Sequence, residues 1–392
     1  MTKRGDQAWP LWPIVPIYPY GQRRTLRREI IPGKLWLFEQ VQGIFYVVVP
    51  IRMTVIKLAA GGLMVFSPVA PTRECVRLVR ELEAEHGEVK YVILPTVTGV
   101  EHKYFAGPFA QRFKRSQVYV APNQWSFPLD LPMSWLGFPP KRTQVLPENP
   151  SQTPFYDEFD YAIVGPIELS LKPYTEVAFF HRETRSLLSI DAILSIPIDP
   201  PEVVAQNPFP LIFHARETAL DPLIDTPANR RKGWARIALF TFYFQPETLD
   251  VPSFRQALKD ATKSPDRSKR NYFGLYPFRW QAGWRQSFET LRKEGRLIVA
   301  PILQTLIFNR DAEAVLAWAD RIAQWDFQQI LPCHFSAPVA ATPDEFRRAF
   351  DFLEQPDARS WSGFDHNLPA GDLATLGQID RQLTGAVVTP PD

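Results

Sequence analysis

The run Leu187-Leu-Ser-Ile-Asp-Ala-Ile-Leu194 constrains this chain more than any other stretch. It is an apolar run with one carboxylate, Asp191, near its centre. Val177-Ala-Phe-Phe180 precedes it, and His181-Arg-Glu-Thr-Arg-Ser186 separates the two. This spacing predicts a hairpin whose second strand ends on an acid. A buried carboxylate is costly unless it is paired or binds a metal. Asp191 therefore either caps a turn just past the strand or belongs to a polar site.

Length allows one large α/β domain or two smaller ones among 392 residues, with a sizeable core either way. Lys and Arg number 44 against 42 Asp and Glu, a net charge of +2. That balance gives no support for nucleic acid as a partner, which would favour a basic stripe. The two cysteines, Cys75 and Cys333, are far apart and form no CxxC pair, so a reducing, cytoplasmic setting is the simple expectation. No leader is expected, because Met1-Thr-Lys-Arg-Gly-Asp6 runs into proline and tryptophan instead of an apolar segment. The longest apolar region, Ile44 to Phe66, is interrupted by Pro50, Arg52, Lys57 and Gly61-Gly62, so no transmembrane span is expected.

Proline is the unusual residue, at 39 of 392 against a usual share of about 5%. Residues 8–20 carry it every third or fourth position, which favours polyproline II. This arm either docks on a protein or membrane surface or packs its aromatics on its own domain. Four strand patterns follow, at 34–38, 44–49, 53–58 and 62–66, some separated by turn signals at Gly43 and Ala60-Gly-Gly62, reading as an antiparallel meander. A helix is expected from Pro71-Thr72 to about Glu85, a strand at 89–94, a helix at 105–113 and a strand at 117–121. Residues 122–159 and 196–230 are proline-rich loops. Strands are expected at 161–164 and 167–171, and a short one at 297–300. An apolar helix is expected near 234–244, another at 311–322 and a strand at 328–331. Thr342-Pro-Asp-Glu345 predicts a capped helix start, with the helix running to about Phe352. Nothing periodic follows Gln355.

Of six histidines, His86, His181, His214 and His366 sit in settings that suit exposed or locally bonded side chains. His102 and His334 differ. Each follows a buried-looking strand and precedes a helix, and strand C-terminal ends are where open α/β folds build sites. With Asp191 they supply imidazole and carboxylate donors suited to zinc or iron. Taken singly, each also has an ordinary structural reading. HExxH, GxSxG and P-loop patterns are absent from the sequence.

The order of these landmarks resembles the metallo-β-lactamase superfamily over roughly residues 34–354. Ile93-Leu-Pro-Thr-Val-Thr-Gly-Val-Glu-His-Lys-Tyr-Phe-Ala-Gly107 is similar to the first motif, T-H-x-H-x-D-H. The stretch from Leu171 to Phe180 looks like the second, Leu188-Ser-Ile-Asp191-Ala the third and Leu331-Pro-Cys-His334 the last. More closely, the chain resembles an uncharacterised domain family of cyanobacteria, other bacteria and plants. The resemblance implies an α/β, αββα four-layer sandwich with long proline-rich insertions. It implies an arm at 1–33, a domain at 34–354 and a tail at 355–392.

It also implies a degenerate site. Val97 and Gly99 stand where the family has two histidines, and Lys172 replaces a third. The first metal site is therefore expected to be lost. Glu101, His102, Asp191 and His334 correspond to the second, which would hold one zinc, iron or manganese ion, or none if it too has decayed. Lys172 could instead form an ion pair with Asp191. One reading is a mononuclear metal-dependent hydrolase in which Glu101 or Asp191 orients water or acts as base. The other is a non-catalytic binding or assembly protein that keeps the fold. Redox chemistry at an iron site beside Cys333 is a third. The partner is left as an unknown small molecule or protein.

Overall fold

The computed structural model describes residues 4–11, 17–97, 102–126, 129–169, 172–354 and 368–385. The chain opens with β1 (Leu26–Ile31), β2 (Leu35–Ile44), β3 (Val47–Lys57) and β4 (Leu63–Phe66). Then come α1 (Arg73–His86), β5 (Val89–Leu94), α2 (Lys103–Arg112), β6 (Gln117–Val120) and β7 (Thr143–Val145). The second half starts with β8 (Phe159–Ile167), β9 (Tyr174–His181) and β10 (Ser186–Ser189). Helices α3 (Glu202–Ala205), α4 (Phe209–His214) and α5 (Pro227–Tyr243) follow. Next are β11 (Leu249–Asp250), α6 (Phe254–Ala261), β12 (Arg279–Trp280), α7 (Trp284–Arg292), α8 (Pro301–Leu306) and α9 (Ala312–Ile322). The chain ends in β13 (Gln329–Pro332), β14 (Val339–Ala340), α10 (Pro343–Arg348) and α11 (Ala370–Gly385).

Among the described residues, β1 to β7 form one sheet in sequence order, antiparallel through β4 and parallel from β4 to β7. A second sheet has the order β14-β13-β10-β9-β8, with β10 and β13 parallel. Strand alternation sorts the side chains into layers. Trp36, Phe38, Val65, Val92 and Val118 face α1 and α2. Their neighbours Leu37, Phe66, Ile93 and Tyr119 meet Tyr161, Phe179, Leu188 and Leu331 of the second sheet. On that sheet's far side Ala162, Phe180, Leu187 and Ile330 pack under α5 and α9. The result is the expected αββα sandwich.

Local chemistry explains the element ends. Thr72 caps α1 by accepting from the Cys75 amide, and Gly87 at φ 93 ends it. Thr342 and Glu345 form the expected reciprocal cap of α10. Asp311 caps α9 through the Ala314 amide.

Several expectations need correction. In the meander the strand expected at 34–38 lengthens into β2, those expected at 44–49 and 53–58 merge in β3, and β1 is an additional strand. Gly43 suggested a turn, but it lies inside β2, where a Cβ would sit 2.0 Å from the Val47 carbonyl oxygen. The turn falls instead on Phe45 and Tyr46, both at positive φ (50 and 63). The strand expected at 297–300 reduces to a bridge between Leu194 and Ile298. Strand β8 is continuous from Phe159 to Ile167, and residues 170 and 171 lie outside the described set. Helix α10 stops at Arg348, with a short 3₁₀ turn at Asp351–Glu354. Helix α11 was not anticipated. His214 is buried in α4 and bonds to the distant Phe45 carbonyl, whereas His181, buried at the end of β9, is locally bonded to Thr184 as expected. Residues 12–16 of the arm lie outside the described set. Beside them, Trp9, Ile17 and Tyr18 are buried. No helix among the described residues is long and apolar enough to cross a membrane.

Candidate functional site

Strands β10 and β13 run parallel, with Leu188 opposite Leu331 and Ser189 opposite Pro332. Asp191 and His334 each lie two residues beyond that last pair, so they leave the sheet side by side. The Nε2 of His334 is 3.1 Å from Oδ1 of Asp191. His102 arrives from the other sheet, after β5 and at the start of α2. Its ring centroid is 6.2 Å from that of His334. The acid and two imidazoles therefore meet at one rim of the sandwich.

Both imidazoles are oriented by the backbone. His102 Nδ1 is 3.1 Å from the Pro68 carbonyl oxygen, and His334 Nδ1 is 3.0 Å from that of Pro50. A carbonyl only accepts, so each Nδ1 carries the hydrogen and donates it. Each Nε2 is thereby left for the site. That of His102 is buried with no hydrogen-bond partner. Burial, with the neighbouring His334, lowers the His102 pKa to about 4, so its ring is neutral near pH 7. The contact between His334 Nε2 and Asp191 then requires one proton on either group.

Beneath them lies a residue the sequence reading missed. Glu176, in β9, is fully buried. Its carboxylate accepts the Tyr174 hydroxyl at 2.6 Å and the amides of Ile190, Asp191 and Ala192 at 3.0, 3.2 and 3.2 Å. Burial and the nearby Asp191 push its pKa up to about 7, against the pull of the Tyr174 hydroxyl and these amides. The signal was present as one acid within an apolar strand. Lys103 was missed as well. It is buried beside His102, donates to the Val97 and Trp125 carbonyls, and has its pKa lowered by burial to about 8.

The remaining expected residues are placed as follows. Glu101 and Gly99 lie outside the described residues. Val97 is buried in the core between the sheets. Lys172 does not reach for Asp191 but pairs with Asp130 at 2.9 Å, an exposed contact. Cys333 is buried, and burial raises its thiol pKa, keeping it protonated. Among the described residues no three His, Cys, Asp or Glu side chains are disposed to hold a metal ion.

The structure is similar to the metal-soaked Flv1 flavodiiron core from Synechocystis sp. PCC6803, at 11% identity and TM-score 0.40, covering 84% of this chain and 61% of that one. It is similar to DIM-1 metallo-β-lactamase exposed to ceftazidime at 10% identity and TM-score 0.38, covering 84% and 97%. A mutant flavo di-iron protein from Thermotoga maritima matches at 9% identity and TM-score 0.39, covering 84% and 62%. Likeness this weak decides nothing by itself, and the four layers rest on the strands and cores described above. No curated protein matches the sequence significantly. The chain belongs to the family described as Domain of unknown function (DUF4336), which matches its residues 32–352.

Proposed function

We propose that the rim of His102, Asp191 and His334 takes up a single zinc, iron or manganese ion, with Glu101 as a fourth donor. The protein is then a metallo-β-lactamase-like hydrolase reduced to one ion, its first site lost with Val97, Gly99 and Lys172. The observation that supports this reading is the pair of carbonyl-anchored imidazoles. Histidines that bind metals characteristically donate their other ring N–H to a carbonyl or carboxylate, which fixes the tautomer. The unpartnered Nε2 of His102 fits the same role. When bound, such an ion polarises a carbonyl or phosphoryl oxygen and acidifies a bound water. The chain's own residues would orient that water through Glu101 or Asp191, while Glu176 fixes the backbone under Asp191. Residues 34–354 would carry this activity, flanked by the 1–33 arm and the 355–392 tail. The two free, buried cysteines support a cytoplasmic setting.

A second reading has its own observation. Asp191 and His334 already satisfy each other, and the described residues hold no three-donor group. A proton would then stand where the ion was, in a non-catalytic descendant that binds or assembles with other molecules.

Calorimetric titration of the full chain with zinc and with manganese in buffers of different ionisation enthalpy tests both. The first reading expects one ion per chain, release of about one proton on binding, and loss of binding in His102→Ala and Asp191→Ala. Absence of stoichiometric binding for either ion, together with no metal in the purified protein, would leave the descendant reading standing.

A further inference from the structure

The segment 251–274 carries a surface that the rim does not explain. Phe254 and Leu258 lie one turn apart on α6 and are 72% and 46% exposed. Ala257 and Ala261 hold the helix to the protein. Phe273 is 67% exposed. It is joined to Gly274, which packs so closely on the end of α6 that a Cβ would lie 2.7 Å from the Ala261 carbonyl oxygen. Phe273 therefore stands beside α6.

Its exposure is built in. Tyr272 and Phe273 both adopt positive φ (48 and 56), a conformation that non-glycine residues rarely hold. The neighbouring contacts keep it in place. Phe45, at the tip of the β2–β3 hairpin, stacks on Tyr272 at 4.3 Å. Tyr46 donates its hydroxyl to the Arg270 carbonyl at 2.8 Å. Asn271 donates to the Asp266 carbonyl at 2.6 Å.

The charge around these apolar side chains is one-sided. Residues 251–274 hold six lysines and arginines against two aspartates, in a chain of net charge +2. Both aspartates are engaged: Asp260 by Arg279 at 3.0 Å, and Asp266 by the Ser268 amide at 2.8 Å. Arg255, Lys259, Lys263, Arg267 and Lys269 are exposed.

The geometry points to this face as a docking surface for an anionic lipid bilayer. Phenylalanine and leucine enter the acyl boundary while flanking lysines and arginines meet the headgroups. A protein partner suits the surface less well, since lysine is depleted from the core of protein interfaces. Nucleic acid would leave the exposed Phe254, Leu258 and Phe273 unused. The proposal is independent of any metal at the rim.

Co-sedimentation of the full chain with vesicles of phosphatidylcholine alone, and of equal parts phosphatidylcholine and phosphatidylserine, tests it. The wild-type chain is expected to bind the anionic vesicles, less as salt rises, and to leave the neutral ones in solution. Removing one cation near such a surface weakens binding about fivefold, so Lys259→Glu with Lys263→Glu should reduce it by at least about 25-fold. Phe254→Ser with Phe273→Ser should abolish it by a separate route. These side chains are exposed, so melting temperatures should hold in both pairs. The proposal is overturned by no binding to anionic vesicles, by equal binding to neutral ones, or by wild-type binding in both pairs. It is also overturned if the pairs change the sedimentation mass without lipid, which would mark a contact between copies of the chain.

Discussion

Arg52 reaches Glu39 through its Nη2, 2.6 Å from Oε1, with both side chains buried. The same guanidinium donates to the Pro332 carbonyl and, at 2.9 Å, to that of Phe335. Arg28 shares Glu39 at 2.8 Å and donates to the Ala337 carbonyl at 2.8 Å. The chain on both sides of His334 is thus fastened to β1, β2 and β3. Burial alone would raise the Glu39 pKa, but Arg52 and Arg28 outweigh it and hold the group below the usual range. Removing one partner leaves an uncompensated buried charge, so Arg52→Met or Glu39→Gln should each cost about 3–5 kcal/mol. The double replacement Glu39→Met with Arg52→Met should cost less than either single change. Chemical denaturation of the three variants measures this, and strictly additive losses would contradict it.

Glu176 sets a second prediction. Its pKa is raised in the folded chain to about 7 from the ordinary 4.5. As pH rises through that window the unfolded chain gives up this proton while the native chain keeps it. Stability therefore falls between about pH 4.5 and 7, by roughly 3 kcal/mol from this one group, and its contribution is flat above. Glu176→Gln lowers overall stability, because a carboxamide cannot accept the whole set of amides, but it removes this slope. The measurement is the wild-type minus variant difference in unfolding free energy across that pH range. A difference that does not change with pH removes the basis for a protonated Glu176.

Three buried histidines act in the opposite direction. Burial lowers His102 and His181 to about 4 and His214 to about 3. Their contribution is complete above about pH 6.5, where the unfolded chain is also neutral. It is lost as pH falls toward 4, because the unfolded state takes up protons that the native state refuses. Three such groups outweigh Glu176 in the shared window, so these groups together raise stability with pH up to about 6.5. His214→Gln can still donate to the Phe45 carbonyl, which His214 Nε2 contacts at 3.2 Å, while losing the titration. It should make the acid limb of a circular-dichroism pH profile shallower. An unchanged limb would show that His214 is not held neutral.

Much of the rim was legible because its residues contradict their surroundings. Asp191 interrupts an apolar run, and His334 follows a strand too apolar to be exposed. Their meeting was not encoded locally, since it depends on β10 pairing in parallel with β13 across seven intervening helices. Glu176 was overlooked because its strand reads as core, and it takes the Tyr174 hydroxyl and the amides of 190–192 to make an acid tolerable there. Lys172 was expected to matter to Asp191 from its place in the motif, yet it pairs with Asp130. Gly43 misled because a glycine that permits close backbone approach looks the same in sequence as one that turns the chain. Helix α11 was missed because Ala370–Gly385 mixes apolar and polar residues with little facial segregation.

The arm beside the rim supports a last prediction. Trp9 is buried and meets Phe105 edge-on at 5.4 Å. The Arg23 guanidinium lies 4.9 Å from the centre of the same ring. Two backbone bonds, Trp9 N–H to the Gly21 carbonyl at 2.9 Å and Arg23 N–H to that of Gln7 at 2.7 Å, tie this segment to the chain entering β1. Phe105 belongs to α2, the helix that begins beside His102. Trp9 therefore buttresses the element that carries one of the two imidazoles. Truncating a buried aromatic to alanine costs about 3–5 kcal/mol, so Trp9→Ala should fall in or just below that range. Loss of the packing should also loosen the start of α2, which amide hydrogen exchange at residues 104–107 would register as faster exchange than in the wild-type chain. A variant with unchanged melting temperature and unchanged exchange would mean that the tryptophan serves a partner and not the fold.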